Sequence, residues 1–352
     1  MKEDTVCAVV VTYNRKELLL ECLEALRRQT RPIDAIYLID NSSTDGTPEF
    51  LLEKGYIKEL PPPKLLKPWE KIFIIHDAMS EKRIKFHYVR MPKNVGGAGG
   101  FYEGVKRAYS MGYTWLWLMD DDAEPAPNAL EKLLEALDSL NLEEISAIAS
   151  SVVEYNKINL YTRGYLDFDN PFPLIQKPAP YEVYKHKVSE IDFASFVGIL
   201  IHRDAISKIG FPKKEFFIYH DDVEYCIRLK QVGKIYLVPG SVIKHKGALK
   251  KQELPTRKFF GKMFYRIPYR ELWRTYYGIR NLTYLGKIYS NSKFKFIIRL
   301  LKKYLLSLVS IILFDDHKIT RIYFISSAYL DGLMEIFDNK KPKRILYGRE
   351  SQ

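Results

Sequence analysis

Apolar residues follow two different spacings along this chain, and the text changes character near residue 250. The run Val6 to Thr12 is short, continuous and β-branched, the pattern of a strand covered on both faces of a parallel sheet. Between Lys16 and Gln29, residues Leu18, Leu19, Cys22, Leu23 and Leu26 recur at helical spacing and define one apolar face. Ile36 to Ile39 predicts a second strand, and Thr47 to Glu53 a helix with Pro48 in its first turn. Phe86 to Val89 predicts a third strand, followed by a helix to about Ser110. Trp115 to Met119 reads as a fourth strand and Asn128 to Leu140 as a helix. From Gly55 to Lys82 the pattern weakens, and Pro61, Pro62, Pro63 and Pro68 predict an insertion or surface loop without regular structure. The alternation of strand and helix to about residue 150 predicts a doubly wound, mainly parallel α/β sheet. Further strands are expected over Ile148 to Leu166, Phe193 to His202 and Lys234 to Val238, with helices at Asp204 to Ile209 and in HDDVEYCIRL. Beyond residue 250 the text becomes basic, aromatic and mostly helical, which divides the chain into residues 1–250 and 251–352.

Charge sharpens that division. The formal net charge is +12, and residues 244–303 alone carry 17 Lys and Arg against two acids, Glu253 and Glu271. Lys295, Arg299, Lys302 and Lys303 fall at i, i+4, i+7 and i+8 on one helical face. The apolar run Tyr304 to Phe314 has 11 residues, short of the roughly 20 a membrane-spanning helix needs. An amphipathic helix lying on an anionic membrane surface fits this pattern, and a helix packed on the catalytic domain is the plainer alternative. Nucleic acid is not an expected partner, because no recognised nucleic-acid module is present. With 47% hydrophobic and 28% charged residues, wholesale disorder is excluded. Cys7, Cys22 and Cys226 sit among apolar neighbours and read as buried thiols of a reducing compartment. The opening MKEDTVCAVVVTYNR carries acids where a secretory signal has positive charge, so a cytoplasmic enzyme is expected.

Four polar loops follow predicted strands: TYNR, DNSSTDGT, KNVGGAGG and DDD. Ligands of open α/β sheets sit beyond the carboxyl ends of the strands, so four such loops in register predict a site. Asp120 and Asp122 alternate on an extended segment and can face one ligand together. Adjacent carboxylates repel unless a cation or water relieves them, and hard oxygens suit Mg²⁺ or Mn²⁺. A solvated acidic turn is the bland alternative. The glycines of NVGGAGG match neither the dinucleotide nor the Walker spacing, and serve close backbone approach or a flexible turn. Asp221, Asp222 and Glu224 open a helix, where a carboxylate can act as general base or simply complement the helix terminus. His245, between Lys244 and Lys246, is either a further metal ligand or an ordinary surface histidine.

Taken together, VVVTYNR, DNSSTDGT, NVGGAGGF, DDD, FFIYHDDVEYCIRL and IKHKG resemble the family 2 glycosyltransferases, inverting enzymes of the GT-A fold. The resemblance covers residues 5–250 and a short stretch near YYGIRN, and is nearest to galactofuranosyl- and rhamnosyltransferases of surface glycans. It implies a Rossmann-like nucleotide-binding domain with a C-terminal helical basic region. It further implies that Thr12, Tyr13, Arg15, Asn41 and Asp121 line the nucleotide-sugar pocket and that Asp40 binds the pyrimidine base. Asn94, Gly96 and Gly97 would approach the nucleotide and its phosphates. Asp120, Asp122 and His245 would hold Mn²⁺ or Mg²⁺, and Asp222 would be the catalytic base. The implied reaction moves a sugar from UDP-galactofuranose, dTDP-rhamnose or another UDP-sugar to a hydroxyl of a glycan or lipid-linked acceptor. A sugar nucleotidyltransferase is the competing enzyme reading, although its usual glycine-rich first loop is here TYNRKE. A sugar- or lipid-binding protein of the same fold without turnover is the competing non-enzyme reading.

Overall fold

The computed structural model describes residues 4–80, 82–172, 175–247, 256–259 and 262–348. The chain forms two compact units that interleave in sequence. One takes Met1–Tyr165, Pro178–Lys214 and Asp221–Ala248; the other takes Leu166–Lys177, Glu215–His220 and Leu249–Gln352.

The first unit is built on one large sheet. Its centre is β1 (Val6–Thr12), whose seven residues are all buried, paired in parallel with β2 (Ala35–Asp40) on one side. On the other side it pairs in parallel with β5 (Trp115–Asp120). Beyond β2 come β4 (Arg83–Arg90), parallel, and β3 (Trp69–His76), antiparallel at the edge. The expectation of no regular structure between residues 55 and 82 is therefore corrected by β3. Pro68 directly precedes this edge strand, a position that needs no ladder donor. Only Phe73 and Ile75 of β3 are buried, and so weak an alternation was hidden behind the prolines.

The opposite half of the sheet mixes directions. β13 (Ile199–His202) runs antiparallel to both β5 and β7 (Ile145–Glu154). β14 (Lys234–His245) runs parallel to β7, with a break in register between Val238 and Val242. The break makes one long strand of what the sequence divides into a strand and a following polar segment. Short strands complete the unit. β6 (Ala123–Pro125) pairs with β14, β8 (Lys157–Ile158) with β7, and β11 (Ser189–Ile191) with β14; β9 (Arg163–Leu166) pairs with β12 (Phe193–Ala194). A further short strand, β10, covers Gln176–Pro178.

Helices α1 (Lys16–Arg27), α2 (Thr47–Glu53), α3 (Gly96–Ser110), α4 (Ala129–Leu137), α5 (Arg203–Ile209) and α6 (Asp221–Leu229) belong to this unit. Glycines let α3 lie close on the sheet: a Cβ at Gly104 would come within 2.3 Å of Val9, and one at Gly100 within 2.5 Å of Val11. All three cysteines are free and buried.

The second unit is mostly helical: α7 (Trp273–Tyr289), α8 (Lys293–Phe314), α9 (Lys318–Met334) and α10 (Lys341–Tyr347), with a β15 (Thr256–Phe259) to β16 (Lys262–Tyr265) hairpin. Leu272, Tyr276, Ile311, Phe324, Ile325, Ala328 and Leu346 form its core. Arg280 and Asn281, from the YYGIRN stretch, are fully buried and donate to the carbonyls of the 215–219 turn. That turn needs such support, because Phe217 and Tyr219 both take positive φ without being glycine. No described helix is long and apolar enough to cross a membrane.

Candidate active site

Parallel strands β1, β2 and β5 end at the same level, which brings their loops together. Register pairs Thr12 with Asp40 and Val11 with Asp120. The loops are then stitched to one another. Thr12 Oγ1 donates to Asp121 Oδ2 at 2.6 Å, and the Asn41 amide donates to the Thr12 carbonyl at 2.9 Å. Asn14, at φ +55°, receives the Thr44 amide on Oδ1 at 2.6 Å and gives its own amide to Ser43 Oγ. Tyr13 leaves its ring largely exposed while its amide points to Asp121.

Arg15 crosses from α1 to the acidic loop. Its Nη1 lies 3.1 Å from Asp121 Oδ1 and 3.0 Å from Asp122 Oδ2. One guanidinium thus offsets two of three adjacent carboxylates. Asp121 is still pushed up to about 6, because burial outweighs Arg15 and Thr12. Asp120 is pushed up to about 8 by burial and then by the charges of Asp122 and Asp121.

His245 reaches this loop through the pairing of β6 with β14, which sets His245 opposite Ala123, next in sequence to Asp122. Its Nε2 lies 3.0 Å from Asp122 Oδ1, and its Nδ1 lies 2.5 Å from Glu154 Oε1. Burial alone would lower the imidazole, but the hydrogen bond and charge of Asp122, then Glu154, push it up to about 9. The same contacts hold Asp122 below the usual carboxylate range against the effect of its own burial.

The group fits a divalent cation. One ligand atom each from Asp120, Asp122 and His245 lies within 4.8 Å of the others. Asp122 Oδ1 is buried, and His245 Nε2, 3.0 Å away, meets it as an ion pair without good hydrogen-bond alignment. A buried oxygen in that condition is costly unless something positive completes it. The 3.0 Å separation between Oδ1 and Nε2 also suits neighbouring ligands of an octahedral ion with bonds of about 2.1 Å. Carboxylate and imidazole together suit a first-row ion such as Mn²⁺, and the oxygens suit Mg²⁺.

Asp40 is held from three sides. It is fully buried, with Oδ2 taking Tyr88 Oη at 2.7 Å and Arg90 Nη1 at 2.5 Å, and Oδ1 taking the Ser43 amide at 2.8 Å. Its carboxylate ties β4 to the 41–44 loop, and Oδ1, with one donor, keeps a free lone pair. Tyr88 and Arg90 were missed in the sequence, although Arg90 sits where the site rule looks, at the carboxyl end of a strand. Arg90, Ser42, Pro48, Leu60 and Pro61 to Pro63 line a cleft of about 500 Å³ beside this loop.

In the glycine loop, Asn94 Oδ1 accepts the Gly96 amide at 2.8 Å, and Asn41 Nδ2 donates to the Gly96 carbonyl at 2.9 Å. Gly96 has φ +76°, which explains a glycine there, and Gly97 borders open space. Asp222 stands at the start of α6, half-buried, with Oδ1 on the Val223 amide at 2.8 Å. Dense packing pushes its carboxyl up to about 6, despite backbone hydrogen bonds and the charge of Arg163. Its neighbour Asp221 is also raised well above the usual carboxylate range, by burial, then by Asp222 and by the charge of Asp120. Glu154 and Arg163 carried no signal in the sequence: each is one polar residue in a strand, and only pairing shows what it faces.

The acidic loop and His245 lie on the loop edge of a mixed α/β sheet and form a candidate cation-binding active site. The profile described as "Glycosyl transferase family 2" matches residues 7–60 and 73–210, more than half of the chain, and the protein belongs to that family. Among similar proteins is galactofuranosyltransferase GlfT1 of Mycolicibacterium smegmatis, 27% identical over 245 residues, or 65% of this chain and 67% of that protein. GlfT1 of Mycobacterium tuberculosis is 26% identical over 231 residues, 65% of this chain and 66% of that protein. Solved structures share the fold. GalNAc-T7 with UDP, GalNAc and Mn²⁺ gives a TM-score of 0.55 at 15% identity, covering 97% of this chain and 58% of that one. S. aureus TarS 1–349 with UDP gives 0.53 at 11% identity, covering 97% and 86%. The nucleotidyltransferase reading yields to the family match: the protein is a family 2 glycosyltransferase.

Proposed function

We propose that this enzyme transfers a sugar, with inversion, from a uridine diphosphate donor to a hydroxyl of a glycan or lipid-linked acceptor. The observation that carries the reading is the convergence of Asp120, Asp122 and His245, one ligand atom of each within 4.8 Å of the others. The relatives' names favour galactofuranose as the sugar, with dTDP-rhamnose the next donor to test.

Thr12, Tyr13, Arg15, Asn41 and Asp121 line the donor's nucleotide, with Asn94, Gly96 and Gly97 at its edge. Asp40, held by Tyr88, Arg90 and the Ser43 amide, meets the pyrimidine base there. Asp120, Asp122 and His245 hold Mn²⁺ or Mg²⁺. When bound, the ion supplies positive charge to the departing diphosphate. Asp222 takes the proton from the acceptor hydroxyl as that oxygen bonds to the anomeric carbon. The bond from that carbon to the diphosphate oxygen breaks, and UDP leaves with the bonding pair. A carboxyl with a pKa near 6 is ionised at neutral pH yet basic enough to receive the proton.

The helical unit suits an acceptor held at an anionic membrane surface on the cytoplasmic side. On α8, Phe294, Ile298, Leu301, Leu305, Val309 and Ile312 form one exposed line at i, i+4, i+7, i+11, i+15 and i+18. Exposed Lys295, Lys302 and Lys303 border it, and α8 contains no acidic residue. Anionic headgroups complement that charge. A second copy docked on the same face would set lysine against lysine. Residues 1–250 would then carry the chemistry and residues 251–352 the docking.

The test is UDP release from a donor panel, with product configuration read by NMR. Turnover of UDP-galactofuranose with inversion, lost in chelator and restored by Mn²⁺ or Mg²⁺, is the expected result. Retention of configuration, or full activity in chelator, overturns the reading.

A further inference from the structure

Glu154 has no part in the reaction described above, yet it makes the shortest contact to His245. It ends β7, and β7 pairs in parallel with β14 up to Lys244 against Val153, so the next residue of each strand brings Glu154 and His245 side by side. The contact is 2.5 Å between Oε1 and Nδ1. A carboxylate only accepts, so Nδ1 carries the hydrogen it receives. That leaves the opposite nitrogen, Nε2, directed to Asp122 Oδ1 at 3.0 Å.

We infer that Glu154 is a positioning residue for the cation centre, fixing the ring of His245 so that its Nε2 lone pair joins Asp120 and Asp122. Two physical consequences support this assignment. A ring held at one nitrogen by a carboxylate keeps a single tautomer and orientation, and its other nitrogen becomes a stronger electron donor. Second, the arrangement assigns an otherwise unexplained acid. Glu154 is only half-buried, its strand partner in the β7–β8 turn is Lys157 in register, and its carboxylate nevertheless turns to His245. An exposed acid at a strand end would otherwise gain more by facing water.

The inference rests on the cation reading of the Asp120, Asp122 and His245 group, and the experiment separates the two. Mn²⁺ binding to the full-length protein is titrated by the EPR signal of free Mn²⁺, with UDP present, for the wild type, Asp122→Asn, Glu154→Gln and Glu154→Ala. Melting temperature without metal serves as the control for folding. For Glu154→Ala an affinity loss of roughly 10–100-fold is expected, the range for losing an outer partner of a ligating histidine. Glu154→Gln keeps an acceptor for the Nδ1 hydrogen and should recover much of that loss. Wild-type affinity in Glu154→Ala, with Asp122→Asn impaired, overturns the role of Glu154 alone. Equal losses in the Gln and Ala variants also overturn it, since orientation would then not be what the acceptor supplies. Wild-type protein that binds no Mn²⁺ overturns the underlying cation reading instead.

Discussion

The two units differ in where their charged and their large apolar side chains are left unfinished. In the sheet unit, strands β1, β2 and β5 are buried from end to end apart from Asp120, and the groups left incomplete are polar: a buried Asp122 oxygen, and three adjacent carboxylates offset by one arginine. In the helical unit the large buried polar side chains are finished, while the small hydroxyls of Thr283 and Ser290 and the His220 Nδ1 are buried without a hydrogen-bond partner. Arg280 and Asn281 spend their donors on carbonyls and on each other, and Arg321 is held by Asp316 and the Ile267 carbonyl. Its large unfinished feature is apolar, the exposed line along α8. Burying a polar group without a partner and exposing a row of large apolar side chains both cost free energy. Each therefore points to what is missing: a cation with its diphosphate in one unit, a lipid surface in the other.

The comparison can be broken at several points. The largest effect is expected at the chemistry. Asp222→Asn removes the proton acceptor and should lower kcat by about 10²–10⁴-fold, the usual worth of a general base. Donor affinity measured by calorimetry and binding to anionic vesicles should stay as in the wild type. The same residue sets a pH limit. With its carboxyl raised to about 6, the protonated, inactive form accumulates as pH falls through that value. The acid limb of kcat/KM should bend near pH 6 and fall about tenfold per pH unit below it. A flat profile from pH 7 to 5 would remove Asp222 from the role.

A smaller effect is expected at the membrane face. Each lysine beside an anionic surface contributes about 1 kcal/mol. Changing Lys302 and Lys303 together to Gln should therefore weaken partition onto phosphatidylserine-containing vesicles by about 30-fold, with turnover of a soluble acceptor unchanged. Undiminished partition would mean that the α8 line does not meet lipid. The smallest consequence for function is expected in the core of the sheet unit. Gly104→Ala drives a methyl to within 2.3 Å of Val9 and should reduce unfolding stability by about 1–3 kcal/mol, read by urea denaturation. Activity per folded molecule should hold.

Much of the sheet unit is legible in the chain because its signals are local. Continuous β-branched runs mark β1 and β2, helical spacing marks α1, and each polar loop directly follows its strand, so a rule about strand ends finds Thr12, Asn41 and Asp120 to Asp122. β3 was lost because an edge strand needs only two buried side chains and followed a run of prolines. The bonds of Asp40 were lost for another reason. Its neighbours Tyr88 and Arg90 lie about fifty residues away, and nothing in the local text assigns them to it.

The sequence by itself determined which residue types stand at the ends of the strands, because period and punctuation follow from short-range sterics and burial. Tertiary structure alone decided which of those residues meet. The pairings that join Asp122 to His245, and His245 to Glu154, depend on β14 lying between β6 and β7. Strand neighbours of that kind are chosen by the packing of the whole sheet, and the chain separates these residues by more than ninety positions.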